Sequence, residues 1–480
     1  MIALFSIVSV YLIGMIVLRL ISREWSLSET LGFGFPIGMG CVTVWMFLMD
    51  VLGISLIRGT VLSGTFLLVA FLYFLLYCFK KDQDIFAPIK RYVRKGEISR
   101  LLHKQNAGVL FLSGVLIYLI YLVTVKALYW PAIHYDTIAG YDFLARAIAH
   151  EGTLHNSLFD PAHRLVSYRS IYPPLFPLSF AYAYICGEMS VKIIPILYYV
   201  SIAFSFYGLL RRYVNPLSSM LMVLILLATP EFAAQSTFLM TNMPQTIYTL
   251  IGMIGFICWF NRKGERYFAL SIITLTLGVW GRTEGVVFFI PCCFALAYRL
   301  IRECRERSLF SRENVKRCLW FGIPSCVAYG TWEIYLKYVL KASDLQQPFK
   351  LGIIELEGKF DFMMRIVEEI SFSSQLYGWV IYLGITAFVL NLIYLMYKRE
   401  WSFFNGITLS LIVAAWCIYL LVYYQIDVPS LDIFEGYISY GYKRGLFNFL
   451  PLLLFYFATS KVVQNFSNLL YMEYPQKKVI

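Results

Sequence analysis

Charge is what this chain of 480 residues has least of. Only 15% of its residues are charged and 59% are hydrophobic, where soluble domains carry about 25% charge. The mean hydropathy is +0.66. So few charges cannot solvate a globular surface, and the bilayer must be the main solvent. That excludes a soluble enzyme, a nucleic-acid reader and a fibrous protein. Histidine is scarce too, with five residues, and none has the spacing of a zinc protease. The ten cysteines show no CxxC spacing and avoid the long polar loops expected outside. A disulfide framework or a thiolate zinc site is therefore not expected. No internal repeat, low-complexity stretch or soluble domain is visible. The apolar stretch Met1–Ile21 lacks a basic n-region and a small-residue cleavage site. It reads as a first span and not as a signal peptide.

What is present is a succession of apolar runs, each close to the ~20 residues that cross a bilayer as a helix. They fall at 2–21, 31–50, 61–79, 107–125, 190–210, 217–237, 243–260, 266–281, 284–300, 318–337, 376–397, 403–424 and 445–461. The expected fold is all-α and polytopic, with about thirteen transmembrane helices. The net charge of +12 comes from 41 Lys and Arg against 29 Asp and Glu. These cations collect in short connections, above all 80–106 and 301–317, which the positive-inside rule places in the cytoplasm. The polar loops 126–171, 338–375 and 425–444 then fall outside, with the N-terminus outside and the C-terminus inside. One apolar piece, 172–187, opens with Pro173–Pro174 and breaks the parity if it crosses. It is expected as a re-entrant or short helix beside an outer cavity. The chain divides into a three-span segment 1–106, a core 107–461 and a tail 462–480.

Four segments carry candidate chemistry. The first outer loop contains His134, Asp136, Asp142 and Tyr172, with His150, His155 and His163 nearby. Ile138, Tyr141, Phe143, Leu144, Ala147 and Ile148 recur at helical spacing, so an amphipathic helix over about 137–150 is expected to lie on the outer surface. Asp136 stands where an N-cap belongs and Gly152 where the helix should end. Cap and catalyst are both open for Asp136. Asp142 is placed to pair with Arg146 at i, i+4. The second segment is Arg282-Thr-Glu284, an ion pair or a functional charge between two apolar runs. The third holds Lys443 and Arg444, two cations on the side where cations are disfavoured. Either an anion such as phosphate explains them, or they pair locally with Asp432 or Glu435. The fourth is Thr229-Pro-Glu231 with Thr241-Asn242-Met-Pro244, which also reads simply as proline-marked span ends.

Taken together, His134-Tyr-Asp136, the alanine-rich stretch to Glu151-Gly152, Tyr172-Pro-Pro-Leu175, Arg282-x-Glu284-Gly and Arg444 before a proline-containing last span resemble the GT-C superfamily of polytopic glycosyltransferases. Its members include protein O-mannosyltransferases and aminoarabinose transferases. The resemblance spans roughly 107–461. Many relatives place an aspartate about a dozen residues after a proline like Pro230, where this chain has Asn242. The best-known relatives also carry a C-terminal outer domain that is not seen here.

The resemblance implies a polyprenyl-phosphate-linked sugar donor, a lipid, glycan or protein acceptor, and a site on the outer face of a bacterial plasma membrane. Asp136 would be the general base. Arg444, with Lys443 or Arg282, would hold the donor phosphate. Asp142, Glu284, Glu231, Asn242, Tyr172 and His134 would support the site. No metal-ligand set and no firm cofactor follow, although a divalent cation stays open. The rival class is a multi-span lipid or polysaccharide transporter, whose signature is ionisable groups at mid-membrane depth and repeated broken spans. A non-catalytic subunit of a glycan-assembly complex is a third reading.

Overall fold

The computed structural model describes residues 2–80, 84–86, 90, 107–132, 134–160, 165–166, 171–187, 190–303, 312–345, 357–399, 403–428 and 430–469. Most of the basic connection 80–106, residues 304–311, His163, residues 346–356 and the tail 470–480 lie outside the described residues.

The fold is all-α. Nineteen α-helices stand among the described residues, leaving aside the single turn Ser374–Tyr377. The first four are α1 (Ile2–Ile21), α2 (Leu27–Val51), α3 (Arg58–Lys80) and α4 (Ala107–Tyr129). Shorter pieces follow in α5 (Asp142–Glu151) and α6 (Leu175–Cys186). Then come α7 (Ile193–Leu210), α8 (Pro216–Leu227), α9 (Pro230–Gln235), α10 (Asn242–Phe260), α11 (Glu265–Gly281), α12 (Gly285–Glu303) and α13 (Arg312–Tyr338). The C-terminal part contains α14 (Lys359–Ser371), α15 (Val380–Lys398), α16 (Phe403–Tyr424), α17 (Leu431–Leu446), α18 (Leu450–Thr459) and α19 (Lys461–Leu469).

Among the described residues, nine helices are long and apolar enough to cross a membrane, or ten if one bent pair is a single span. The protein is thus an integral, multi-pass membrane protein, but the expected thirteen spans are not met. The run expected over 217–237 is cut at Thr229, because Pro230 starts a new helix; proline at a helix start cannot continue the preceding hydrogen-bond ladder. The run over 266–281 becomes the 17-residue α11. Helix α13 is 27 residues long, but its Gly, Ser, Thr and Tyr residues and Glu333 dilute the apolar run over 318–337. The last run, 445–461, belongs to the pair Leu431–Thr459 and Lys461–Leu469, bent by 62°. Apolar stretches in sequence thus overcount helices that are broken, short or polar. The piece at 172–187 is α6, 12 residues long or about 18 Å, too short to cross.

Burial sorts the helices into a centre and a rim. Every residue of α10 is buried, although its window has a hydropathy of only 1.3, the lowest among the candidate spans. A helix shielded by protein on all sides can carry Asn242, Gln245, Thr246 and Thr249 at i, i+3, i+4 and i+7. Tyr248 in α10 donates to Pro36 O of α2 at 2.8 Å, tying two central helices together. By contrast α3 and α4 bury only 22% and 17% of their windows and present Phe66, Phe71, Phe74, Phe111, Ile117 and Tyr121 outward. Lipid suits such faces as well as protein does.

The bundle has two distinct ends. At one, Glu29 in the first turn of α2 accepts from Arg212 Nε (3.0 Å) and Nη2 (2.5 Å) and from Tyr267 Oη (2.7 Å). Arg266 reaches Glu24 nearby at 2.6 Å. At the other, Asp50 near the far end of α2 accepts from Thr153 Oγ1 (2.8 Å), Leu154 N (2.9 Å) and Tyr335 Oη (2.6 Å). Both flanks of α6 attach near the Asp50 end, through Arg58 Nε to Ile185 O (3.1 Å) and Trp332 Nε1 to Ile171 O (3.0 Å). The Asp50 end is the one that the Lys and Arg distribution assigns to the outside, and it is called the outer end below.

Candidate functional site

The first outer segment is helical from Tyr135, one residue earlier than a cap at Asp136 allows. Asp136 has φ −63° and ψ −27° and makes no side-chain cap bond. A π-helical turn, Thr137–Tyr141, leads into α5; such widened turns re-aim side chains relative to a regular helix. Asp136, Thr137, Tyr141, Asp142, Leu144, Ala145 and Ile148 are buried. The face expected from spacing is therefore rotated, since Ile138 (55%) and Phe143 (38%) point outward. Gly152 does end the helix, in the left-handed region at φ 74°. The expected Asp142–Arg146 pair forms at 2.9 Å, and Tyr184 of α6 donates to Asp142 at 2.5 Å. Asp142 thus secures α5 to α6.

Asp136 turns instead toward α17. Its Oδ2 lies 2.5 Å from Arg444 Nη2, with only 2% of the Asp136 side chain and 16% of the Arg444 side chain exposed. The guanidinium stacks on Tyr440, 4.0 Å from the ring centre. Tyr440 Oη is 2.5 Å from His134 Nε2, and His134 Nδ1 accepts from the backbone N–H of Asp136 at 3.3 Å. An Nδ1 that accepts carries no proton, so this geometry assigns the Nε2–H tautomer. His134, Asp136, Tyr440 and Arg444 form one closed group.

Glycines set the position of α17. A Cβ on Gly445 would overlap the Tyr419 ring of α16, and one on Gly441 would press on Tyr423. Tyr419 Oη donates to Gly441 O (3.0 Å) and Tyr377 Oη to Lys443 O (2.8 Å). Small residues one turn apart let two helices meet closely, and here they fix the height of Arg444. The pairing of Gly441-x3-Gly445 with Tyr419-x3-Tyr423 was a signal available in the sequence that the motif reading passed over.

The other two cations are also paired at a distance. Lys443 Nζ is 3.1 Å from Glu231, so neither Lys443 nor Arg444 relies on Asp432 or Glu435 as its acidic partner. Glu231 Oε1 accepts from Gln235 Nε2 (2.6 Å), Gln235 Oε1 from Asn242 Nδ2 (3.0 Å), and Asn242 Oδ1 from Arg282 Nη1 (2.9 Å). Arg282 closes the chain on Glu284 through Nε (3.0 Å) and Nη2 (2.5 Å), and also reaches Thr241 Oγ1 at 3.1 Å. Four of its five N–H groups are thereby engaged. Gln235 and the role of Asn242 as a joint in this chain were not legible as motifs.

The two groups meet around tyrosines. Tyr172 lies 5.3 Å from Arg282 Cζ and 5.9 Å from Tyr141, ring centre to ring centre. Burial pushes the Tyr141 phenol up to about 12, and it senses Arg282, Asp136 and Arg444 together. Burial raises the Glu284 carboxyl, but Arg282 outweighs it, with a contribution from Arg444, so Glu284 ends below the usual carboxylate range. All ten residues expected at the site are among the described residues, and Asp142 is the one directed elsewhere.

A divalent cation fits this donor set poorly. Asp136, Glu231 and Glu284 each face a cationic side chain, and Asn242 Oδ1 faces Arg282. Among the described residues no three His, Cys, Asp or Glu are grouped as ligands. No protein-family model, curated protein or solved structure matches the chain.

Proposed function

We propose that the chain is an integral-membrane glycosyltransferase that moves a sugar from a polyprenyl-phosphate donor to an acceptor hydroxyl at the outer face. The observation that carries this reading is the buried Asp136–Arg444 pair at 2.5 Å. It joins a buried carboxylate of the first outer loop to a guanidinium from the far end of the chain. Arg444 binds the donor phosphate through its planar fork and stabilises the leaving charge. Asp136 takes the acceptor proton as the oxocarbenium-like centre forms. Lys443 adds positive charge beside Arg444. Arg282, with most of its donors engaged, holds the chain from Glu284 to Glu231 rather than the phosphate.

The distribution of charge supports transfer over transport. Within the nine candidate spans, Arg19, Glu29, Asp50, Arg58, Lys126, Arg299, Arg302 and Lys398 all stand within about two turns of a helix end. A carrier that moves charged cargo would place such groups at mid-depth.

The test is a cryo-electron microscopy map of the protein with added undecaprenyl phosphate. Phosphate density at Arg444, between α17 and the Asp136 segment, is the expected result. Lipid density elsewhere, with this position empty, would remove the proposed site. Arg444→Lys should weaken binding, because an ammonium cannot reproduce the fork.

A further inference from the structure

We propose that the Asp136–Arg444 pair is an anion site occupied by the protein's own carboxylate, so that the donor must bind first and thereby uncovers the base. This rests on the glycosyltransferase reading above.

The contrast between two ion pairs carries the inference. Arg282 holds Glu284 by two aligned hydrogen bonds from one edge of its fork. Arg444 does not hold Asp136 this way. Its Nη2 is buried and finds no acceptor at hydrogen-bonding angles, although Asp136 Oδ2 lies 2.5 Å off. The contact is ionic and poorly directed. A guanidinium has five donors that match phosphate bidentately, and the stacking on Tyr440 fixes the plane in which they point. The donor's phosphodiester has two unesterified oxygens that can each accept from the fork, where Asp136 offers Arg444 Nη2 one poorly directed contact. The polyprenyl phosphate that leaves carries more charge than a carboxylate. The donor should therefore take the fork from Asp136.

The exchange has a chemical consequence. While Arg444 is paired with it, the Asp136 charge is balanced and its Oδ2 is occupied by the guanidinium. Once phosphate holds Arg444, the carboxylate is relieved of that cation and can accept the acceptor's proton. The acceptor oxygen then forms its bond to the anomeric carbon. The bond from that carbon to the phosphate oxygen breaks, and its electron pair stays on the phosphate beside Arg444. The hydroxyl proton ends on Asp136. Before the donor arrives no base is exposed, so an acceptor or water meets an inactive site.

The diagnostic is the opposite sign of two substitutions in one ion pair. Binding of undecaprenyl phosphate is measured on the full chain in nanodiscs. Asp136→Asn removes the internal competitor and should tighten binding by about tenfold or more, a change of ~1.4 kcal/mol. Arg444→Ala should weaken it by at least as much, and the double variant should show no gain over Arg444→Ala. Unchanged or weaker binding in Asp136→Asn, with Arg444→Ala still impaired, overturns the competition and leaves the phosphate site standing. No specific binding to the wild type overturns both proposals. If Asp136→Asn does not fold, the infrared difference spectrum of the wild type on adding the lipid decides. A shifted carboxylate band is expected, and an unchanged carboxylate region overturns the inference.

Discussion

Arg282 donates to the side-chain oxygen of Asn242 at 2.9 Å, while the nitrogen of the same amide donates to Gln235 at 3.0 Å. Only an amide can do both. Asn242→Asp would leave two acceptors facing each other at Gln235. Turning the Gln235 amide over would only move the conflict to Glu231. Arg282 already has Glu284 as its counter-ion, so the added charge gains little. The loss should be ~1–3 kcal/mol, read as a lower melting temperature in detergent. An unchanged melting temperature would count against the relay.

Gly445→Ala should destabilise by about 1–3 kcal/mol, the usual range for overpacking, because the new Cβ meets the Tyr419 ring. Tyr419→Ala in the same chain should recover part of that loss. Thermal unfolding of the single and double variants checks this. Additive losses would show that the two residues do not set the height of α17.

These two cases mark what was legible in the sequence. The all-α, multi-pass class followed from composition. The span count did not follow, because hydropathy cannot tell a crossing helix from α8, cut before Pro230, or from the 17-residue α11, whereas the short helix within 172–187 was expected and is found. Local spacing supplied the Asp142–Arg146 and Arg282–Glu284 pairs, both of which form, but not the partners of the two late cations. Local spacing offered Asp432 and Glu435 to Lys443 and Arg444, whereas the fold supplies Glu231 and Asp136 from other segments. Spacing also offered Asp136 a cap, and the helix starts one residue too early for it. Tyr440 and Asp50 act through contacts distant in sequence, for which a single chain carries no periodic signal.

Glu284 should make stability depend on acid. Its folded carboxyl lies below the ordinary value of 4.5, so the folded state binds fewer protons than the unfolded one in that range. The contribution is complete above 4.5 and is lost as pH falls below it through the folded value. Melting temperatures over that range should fall more steeply for the wild type than for Glu284→Gln. Parallel curves would contradict the pairing with Arg282.

Sidedness is testable with two positions at opposite ends. In a cysteine-free background, Leu52→Cys should react with an impermeant maleimide from outside intact cells. Lys263→Cys should react only after permeabilisation. Both residues are exposed. Reactivity from the same side, or the reverse pattern, would overturn the topology and move the site to the other face.

The central claim is that Asp136 is the base. The direct measurement is release of polyprenyl phosphate from a panel of polyprenyl-phosphate-linked sugars by reconstituted wild type and Asp136→Asn. Asn keeps the size of the side chain and makes no call on a cap, since Asp136 forms no cap bond. The wild type should turn over at least one donor in the presence of acceptor. The Asn variant, folded and still binding undecaprenyl phosphate, should be slower by about 10²–10⁴-fold, the range for losing a general base. Turnover by Asp136→Asn near the wild-type rate would contradict the account.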